Sequence, residues 1–121
     1  MNARQRITTL LKEWLEITQR ESHAIQVARW SELARIQQTK AALQKPLNDA
    51  IEQWKAENPA EALSNPFRDE VNRLLALESR NSELLAVRKR EVREKMLLLE
   101  QALYDLRRLH SCAEAAEAAG V

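Results

Sequence analysis

Apolar residues in the C-terminal half of the chain recur every seven positions. The row comprises Leu85, Val92, Leu99 and Leu106. The stretch around it contains no Gly, and its one Pro, Pro66, stands at its beginning. A sustained seven-residue repeat is typical of a helix that packs lengthwise against another helix. We therefore predict one uninterrupted helix over residues 67–112, about 69 Å long at 1.5 Å per residue.

Two shorter helices are predicted before this long one. Apolar residues lie three or four positions apart over residues 2–28 and again over residues 31–57, which is the spacing of an amphipathic helix. Ser31 is a suitable N-cap for the second helix, and Glu32 places a negative charge in its first turn. A tight reversal between the two helices is therefore expected. The alternative is that the first helix continues straight into the second.

Four residues interrupt the apolar sides of these helices. Glu21 is expected at the edge of a bundle with its carboxylate in water, and Lys40 is expected to send its stem along the seam and its ammonium into water. Glu78 breaks the seven-residue row at its beginning. Pro46 removes a backbone hydrogen bond inside the second helix, which predicts a kink there or, in a second interpretation, a split at Lys45.

The one linker of the chain, residues 58–65, is predicted to be ordered. Asn58 can cap a helix, Pro59 suits the first helical position, and Glu61 follows in the first turn. These residues predict a single extra helical turn between the second and the third long helix.

The last residues are rich in Ala and Glu and lack an apolar side large enough to anchor them, so we predict a frayed tail over residues 113–121. Residues 1–112 are predicted to form one domain. The predicted fold is all-α, an elongated antiparallel three-helix bundle or coiled coil with a long C-terminal helix.

Composition narrows the class of protein. The 121 residues are 45% hydrophobic and 31% charged, as in a soluble helical domain. The formal net charge of +1 gives no overall field that would attract nucleic acid or an anionic membrane. The basic run 88–95 has acidic residues among its cations and no aromatic residue, so it is predicted to be a solvated helix face.

The sequence also bounds the location of the protein. It has no signal-peptide pattern and no apolar run long enough to span a bilayer, so membrane insertion is not expected. Its single cysteine, Cys112, excludes an internal disulfide and fits a reducing compartment. We expect a cytoplasmic protein.

Residues with catalytic or ligand-binding chemistry are few. No glycine-rich loop is present, and His23 and His110 lie too far apart in sequence for a zinc motif, so no cofactor or metal is expected. The protein is predicted not to be an enzyme. The alternative, a helical enzyme with an electrostatic active site, would need inward-facing cations, for which Lys40, Arg88 and Lys95 are the candidates.

The C-terminal part of the long helix carries more large apolar residues than two companion helices can cover, since they extend over more than half of its circumference. Such a surplus predicts a surface for a partner, either a second copy of the chain or an amphipathic segment of another protein. The predicted partner-binding residues are Val92, Met96, Leu97, Leu99, Leu103, Tyr104, Leu106 and Leu109.

Three sequence motifs carry a resemblance to a known family. Residues 28–33 read Ala-Arg-Trp-Ser-Glu-Leu, residues 39–43 read Thr-Lys-Ala-Ala-Leu, and residues 77–85 read Leu-Glu-Ser-Arg-Asn-Ser-Glu-Leu-Leu. Together with the seven-residue row, this pattern resembles the flagellar export chaperones of the FlgN and FliT type. Asn81 followed by a Leu-Leu pair is similar to the FlgN motif, and Trp30 before Glu-Leu is similar to the FliT motif.

The resemblance implies a cytoplasmic chaperone of the flagellar type III export system. Such a protein would bind the amphipathic C-terminal segment of a hook-associated or filament-cap subunit and deliver it to the export apparatus. The alternative that the residues leave open is a homodimeric coiled-coil scaffold without a client.

Overall fold

The structure is a computed structural model that describes residues 1–120. Its helices follow in the order α1 (Ala3–Gln26), α2 (Trp30–Glu57), α3 (Pro59–Ala62) and α4 (Arg68–Ala118). The described residues form no strand, and helices pack on one another, so the predicted all-α helical bundle is confirmed. The predicted long C-terminal helix is α4, with 51 residues.

A reciprocal capping box begins α1. The side chain of Asn2 accepts a hydrogen bond from the Gln5 backbone N–H at 2.8 Å, and the Gln5 side chain accepts one from the Asn2 backbone N–H at 3.0 Å. Two of the N–H groups that lack an intrahelical partner at a helix start are thereby satisfied. The first helix therefore has a defined beginning.

The reversal between α1 and α2 is confirmed, but its predicted cap is wrong. Ala28 adopts a left-handed conformation with φ 57°, and the Arg29 backbone N–H donates to the Ala24 carbonyl at 2.9 Å. The N-cap is Arg29, without a side-chain hydrogen bond, and Ser31 lies inside the helix. Backbone groups close this turn, so a capping side chain is not required.

The other predicted boundaries agree in part with the structure. Pro46 lies inside an unbroken α2, so the helix is not split at Lys45. The short turn predicted in the linker is α3. The expected end of the long helix at Cys112 is wrong, because α4 continues to Ala118. Ala and Glu have high intrinsic helix propensity, and this propensity explains the extension into the segment predicted to fray.

The chain divides into two compact units, Met1–Leu85 and the segment from Ala86 onward, whereas one domain was predicted over residues 1–112. The first unit contains both apolar clusters of the core. In the second unit every described residue is exposed except Arg88, which is partly buried. The second unit thus has no apolar core of its own.

One core cluster joins the beginning of α1, the end of α2 and the beginning of α4. Its buried members are Ala3, Ile7, Leu11, Ala50, Trp54 and Leu74. The Trp54 ring meets Phe67 edge-on, with ring centroids 5.2 Å apart. Contact between opposite ends of α1 and α2 shows that these helices run antiparallel.

The second cluster lies near the α1–α2 reversal and joins the end of α1 to the beginning of α2. Its buried members are Ile17, Ala24, Ile25, Leu33 and Ile36. Leu84 and Leu85 of α4 pack against it while remaining partly exposed. Two buried polar residues, Thr18 and Glu21, lie among the members of this cluster on α1, and a third, Asn81, lies three residues before Leu84 on α4.

Substitutions at two neighbouring leucines of α4 that differ in burial test the packing of this helix. Leu74 is 8% exposed, whereas Leu75 is 62% exposed. Leu74→Ala should lower the free energy of unfolding by about 2–5 kcal/mol, because it removes buried methyl groups and leaves a cavity. Leu75→Ala should change it by less than about 0.5 kcal/mol. Urea denaturation of both variants measures the difference, and equal effects would contradict the described packing.

Candidate functional site

The charged residues that interrupt the apolar sides of three helices meet in the interior of the first unit. The Lys40 ammonium of α2 donates to Glu21 Oε1 of α1 at 2.8 Å and to Glu78 Oε1 and Oε2 of α4 at 2.6 and 2.8 Å. The side chains of Glu21 and Lys40 are only 5% and 11% exposed. The expectation that both would place their charges in water is therefore wrong, because the opposite charges compensate one another.

Neutral side chains complete this cluster. Trp14 Nε1 and Thr18 Oγ1 both donate to Glu78 Oε1, at 2.9 and 3.0 Å. The buried Asn81 amide donates to the Thr18 carbonyl at 2.9 Å and to Glu21 Oε1 at 3.0 Å. The polar cluster therefore comprises Trp14, Thr18, Glu21, Lys40, Glu78 and Asn81. It joins α1, α2 and α4 by directional bonds.

Opposing effects determine the protonation of Glu78. Burial disfavours its charged form, but hydrogen bonds from Lys40, Trp14 and Thr18 and the positive charge of Lys40 outweigh burial and lower the pKa of Glu78. Glu78 is therefore an anion at neutral pH.

A cavity of about 290 Å³ adjoins the polar cluster. Glu21, Lys40, Glu78 and Asn81 line its polar side, and Ile25 and Leu85 contribute apolar groups. The carboxylates already accept bonds from Lys40 and its neighbours, so the cluster is well suited to fixing the relative position of the three helices.

The alternative of an electrostatic active site requires several cations in one cavity. Of the three candidates, Lys40 lines the cavity, but its ammonium is held by carboxylates and is poorly placed to attract a substrate anion. Lys95 is exposed in the second unit, and Arg88 donates to Glu91 there at 3.0 Å. Arg88 and Lys95 are not among the residues that line this cavity.

Sequence analysis missed the polar cluster, although its signal was present. Glu21, Lys40 and Glu78 each interrupt the apolar side of a different predicted helix. Carboxylates on two helices and an ammonium on a third could have been paired as one buried site. Thr18 and Trp14 gave no comparable signal, because both fit an ordinary amphipathic pattern.

The predicted partner-binding residues all lie in the second unit and are all exposed, with 44% of Val92 and 67% of Leu109 accessible to solvent. Leu98, which was not among them, is 71% exposed. We call the whole set the C-terminal apolar surface. It consists of Val92, Met96, Leu97, Leu98, Leu99, Leu103, Tyr104, Leu106 and Leu109.

Helical geometry divides this surface into a central seam and two flanks. At 100° per residue, the seam lies within about 80° of the helix circumference. The seam consists of Val92, Met96, Leu99, Leu103 and Leu106. Leu98 and Leu109 form one flank, and Leu97 and Tyr104 form the other. The seam alone has the width that one partner helix covers, and the flanks extend beyond it.

Charged side chains surround the C-terminal apolar surface. The run 88–95 precedes and overlaps its beginning, and Arg88 pairs with Glu91 within it. Near the other end, His110 lies 3.1 Å from Glu114. His110 and Glu114 are exposed, and an exposed contact of this kind contributes little to stability.

Within residues 1–120, no group of three or more His, Cys, Asp or Glu side chains is arranged to hold a metal ion. No helix in that range combines the length and apolar character needed to cross a membrane.

Comparison of the chain with protein-family models, curated proteins and solved structures finds no match.

Removal of the central cation tests the polar cluster. Lys40→Met leaves the two carboxylates without their shared ammonium and should lower the free energy of unfolding by about 3–5 kcal/mol at pH 7. Lys45→Met, which alters an exposed lysine of the same helix, should change it by less than about 0.5 kcal/mol. Urea denaturation compares the variants. Similar small losses in both would show that the cluster contributes little to stability.

The lowered pKa of Glu78 predicts a pH dependence with a defined sign. The unfolded chain, with a carboxyl pKa near 4.5, takes up the proton first, so protonation favours unfolding. The stabilisation is present above pH 4.5 and is lost as the pH falls through the folded-state pKa. Denaturation midpoints of wild type and Glu78→Gln between about pH 5 and pH 3 should therefore show a shallower acid loss in the variant. Parallel curves would contradict the assignment.

Proposed function

We propose that this protein is a helical chaperone whose C-terminal apolar surface binds an amphipathic helical segment of another protein. The observation that carries the proposal is the run of exposed large apolar side chains from Val92 to Leu109. A patch of this kind on a helical protein is characteristic of a site for a partner. Its central seam has the spacing by which amphipathic helices are recognised.

The energetics favour a partner that covers the seam. Moving one large apolar side chain from water into a packed interface is favourable by about 1.5–3 kcal/mol. Several such residues lie next to one another along the seam, and α4 already presents them on a formed helix. Preorganisation reduces the entropy that binding must overcome.

Charge adds a preference for certain clients. The run 88–95 holds five basic and two acidic residues at one end of the surface. A client helix with acidic residues beside its apolar side would be attracted there, and this contribution would weaken as salt screens it. Binding on this model requires no covalent step, because the chaperone acts by covering the apolar side of its client.

The family resemblance suggests which client this is. The Asn81-containing motif followed by the seven-residue row supports a role like that of the flagellar export chaperones. We propose that the client is the amphipathic C-terminal segment of a hook-associated or filament-cap subunit, bound in the cytoplasm before delivery to the export apparatus. The polar cluster serves this function by holding the part of α4 around Glu78 and Asn81 in a fixed place on α1 and α2.

A double substitution in the seam tests client binding. Leu99→Asp with Leu103→Asp should abolish capture of C-terminal segments from hook-associated and filament-cap proteins of the same organism, because it places charge in the centre of the interface. Helix content by circular dichroism should stay near that of the wild type, since both residues are exposed. Isothermal titration with synthetic segments measures the binding.

The matched control places the same charge on the opposite side of the helix. Gln101→Asp with Cys112→Asp adds two aspartates away from the seam and should leave binding near the wild-type value. The proposal fails if the seam variant still binds the segments, or if the wild type binds none of them.

A further inference from the structure

A row of alternating charges borders the seam of the C-terminal apolar surface. It consists of Arg93, Glu100, Arg107 and Glu114, which follow one another at seven-residue intervals. All four residues are exposed. The first three each come directly after a residue of the seam, so the row runs along one edge of it. We call these four residues the charge row.

The charge row is complementary to itself when its direction is reversed. Read forward, the signs are plus, minus, plus, minus; read backward, they are minus, plus, minus, plus. In an antiparallel pair of helices, equivalent flanking positions of the two seams face each other. Arg93 would then face Glu114 of a second copy, and Glu100 would face Arg107 of that copy, with each pair occurring twice by symmetry.

We infer that the C-terminal apolar surface binds a second copy of this chain in antiparallel orientation. The alignment that pairs the charges matches part of the seam. It places Leu103 opposite Leu106 of the second copy and Met96 opposite Ala113 of that copy, whereas Leu99 lies opposite His110 and Val92 opposite Glu117. Apolar packing supplies attraction, while the charge row fixes direction and register.

The other edge of the seam agrees with the same alignment. There Ala102 lies opposite Leu109 of the second copy, so that a flanking leucine is covered as well. The paired stretch begins near Val92 and ends near Glu117, which is within the second unit throughout. The polar cluster and the apolar core of the first unit are not altered by it.

A parallel pair would use the charges poorly. The charge row would then face the opposite edge of the partner seam, which contains Arg88, Lys95, Ala102 and Leu109. Arg93 would meet Arg88, and Glu114 would meet Leu109. Only Glu100 would find an opposite charge, in Lys95. An in-register parallel pair would match the seam residues with themselves, so it is the charge row, and not the seam, that favours the antiparallel arrangement.

Pairing would cover the seam that a client is proposed to occupy. A client would then compete with the second copy for the seam. In the absence of a client, the dimer would cover the seam and prevent unintended partners from binding to it. This protective role rests on the proposed function, whereas the pairing itself does not. Leu97 and Tyr104 lie away from the pair contact and would remain accessible in the dimer.

Charge reversal in the row tests the inference. Sedimentation equilibrium should show a reversible dimer of the wild type, with a dissociation constant on the order of micromolar. Glu100→Lys with Glu114→Lys makes the row entirely positive, and Arg93→Glu with Arg107→Glu makes it entirely negative. Each variant alone should self-associate more weakly by about tenfold or more. An equimolar mixture should restore the dimer as a heterodimer.

A control variant distinguishes the effect of the charge row from the effect of a change in the net charge of the protein. Glu94→Lys with Asp105→Lys changes the charge as much as the first variant does, but on the opposite side of the helix, and should leave the dimer intact. Circular dichroism verifies the helix content of every variant. The inference is overturned if the wild type stays monomeric up to about 100 µM, if the variants dimerise as well as the wild type, or if mixing restores nothing. No client is present in these measurements, so their failure leaves the client-binding test unaffected.

Discussion

The ammonium of Lys40, held between the carboxylates of Glu21 and Glu78, is the interaction on which the attachment of α4 most depends. Along its 51 residues, α4 has only two buried side chains, Leu74 and Asn81. A helix with so few buried apolar side chains would have a poorly defined position if apolar contact alone held it, because hydrophobic attraction has no preferred direction. Hydrogen bonds with fixed donors and acceptors select one register.

The free-energy cost of burying ions explains why every member of the polar cluster needs its hydrogen-bond partners. A buried ion is unfavourable until its partners compensate for the lost hydration, and a half-satisfied network is worse than an apolar interior. Here Trp14 and Thr18 add donors to Glu78, and Asn81 adds one to Glu21. The cluster therefore stabilises one arrangement of the bundle chiefly by making shifted arrangements unfavourable, since any slip would separate charges from their partners.

Periodicity was sufficient to predict the helices, because spacing along one helix is a local property. The short α3 was predicted from residues of the turn itself. The α1–α2 reversal was predicted as well, but from an N-cap at Ser31 that the structure does not use. The burial of Glu21 and Lys40 could not be predicted from their own helices. A charged residue on the apolar side of a helix can be buried only if another helix places an opposite charge beside it. Here the three charges lie on three helices, at residues 21, 40 and 78, so no single helix predicts their burial.

Counting apolar residues around the circumference of the long helix predicted the exposure of Leu99 and its neighbours. The same count did not identify the partner that covers the C-terminal apolar surface. Leucine side chains attract any apolar partner, so direction and identity must come from the charges beside them. The sign alternation of the charge row became meaningful once the structure left that whole stretch exposed.

A last consequence concerns the Ala28 turn. The chain has a single glycine, Gly120, so its reversals use ordinary L-residues in the left-handed conformation, Ala28 with φ 57° and Asn65 with φ 45°. For alanine this conformation is unfavourable by roughly 1–2 kcal/mol. A glycine at the same position would avoid this strain, but it would lower the free energy of unfolding by roughly 0.5–1 kcal/mol, because glycine has more conformational freedom in the unfolded chain. The difference leaves alanine less favourable than glycine by roughly 0.5–1 kcal/mol at this turn. This deficit is small beside the burial of the two helices that the turn joins, so a scarcity of glycine does not prevent a helical chain from folding back on itself.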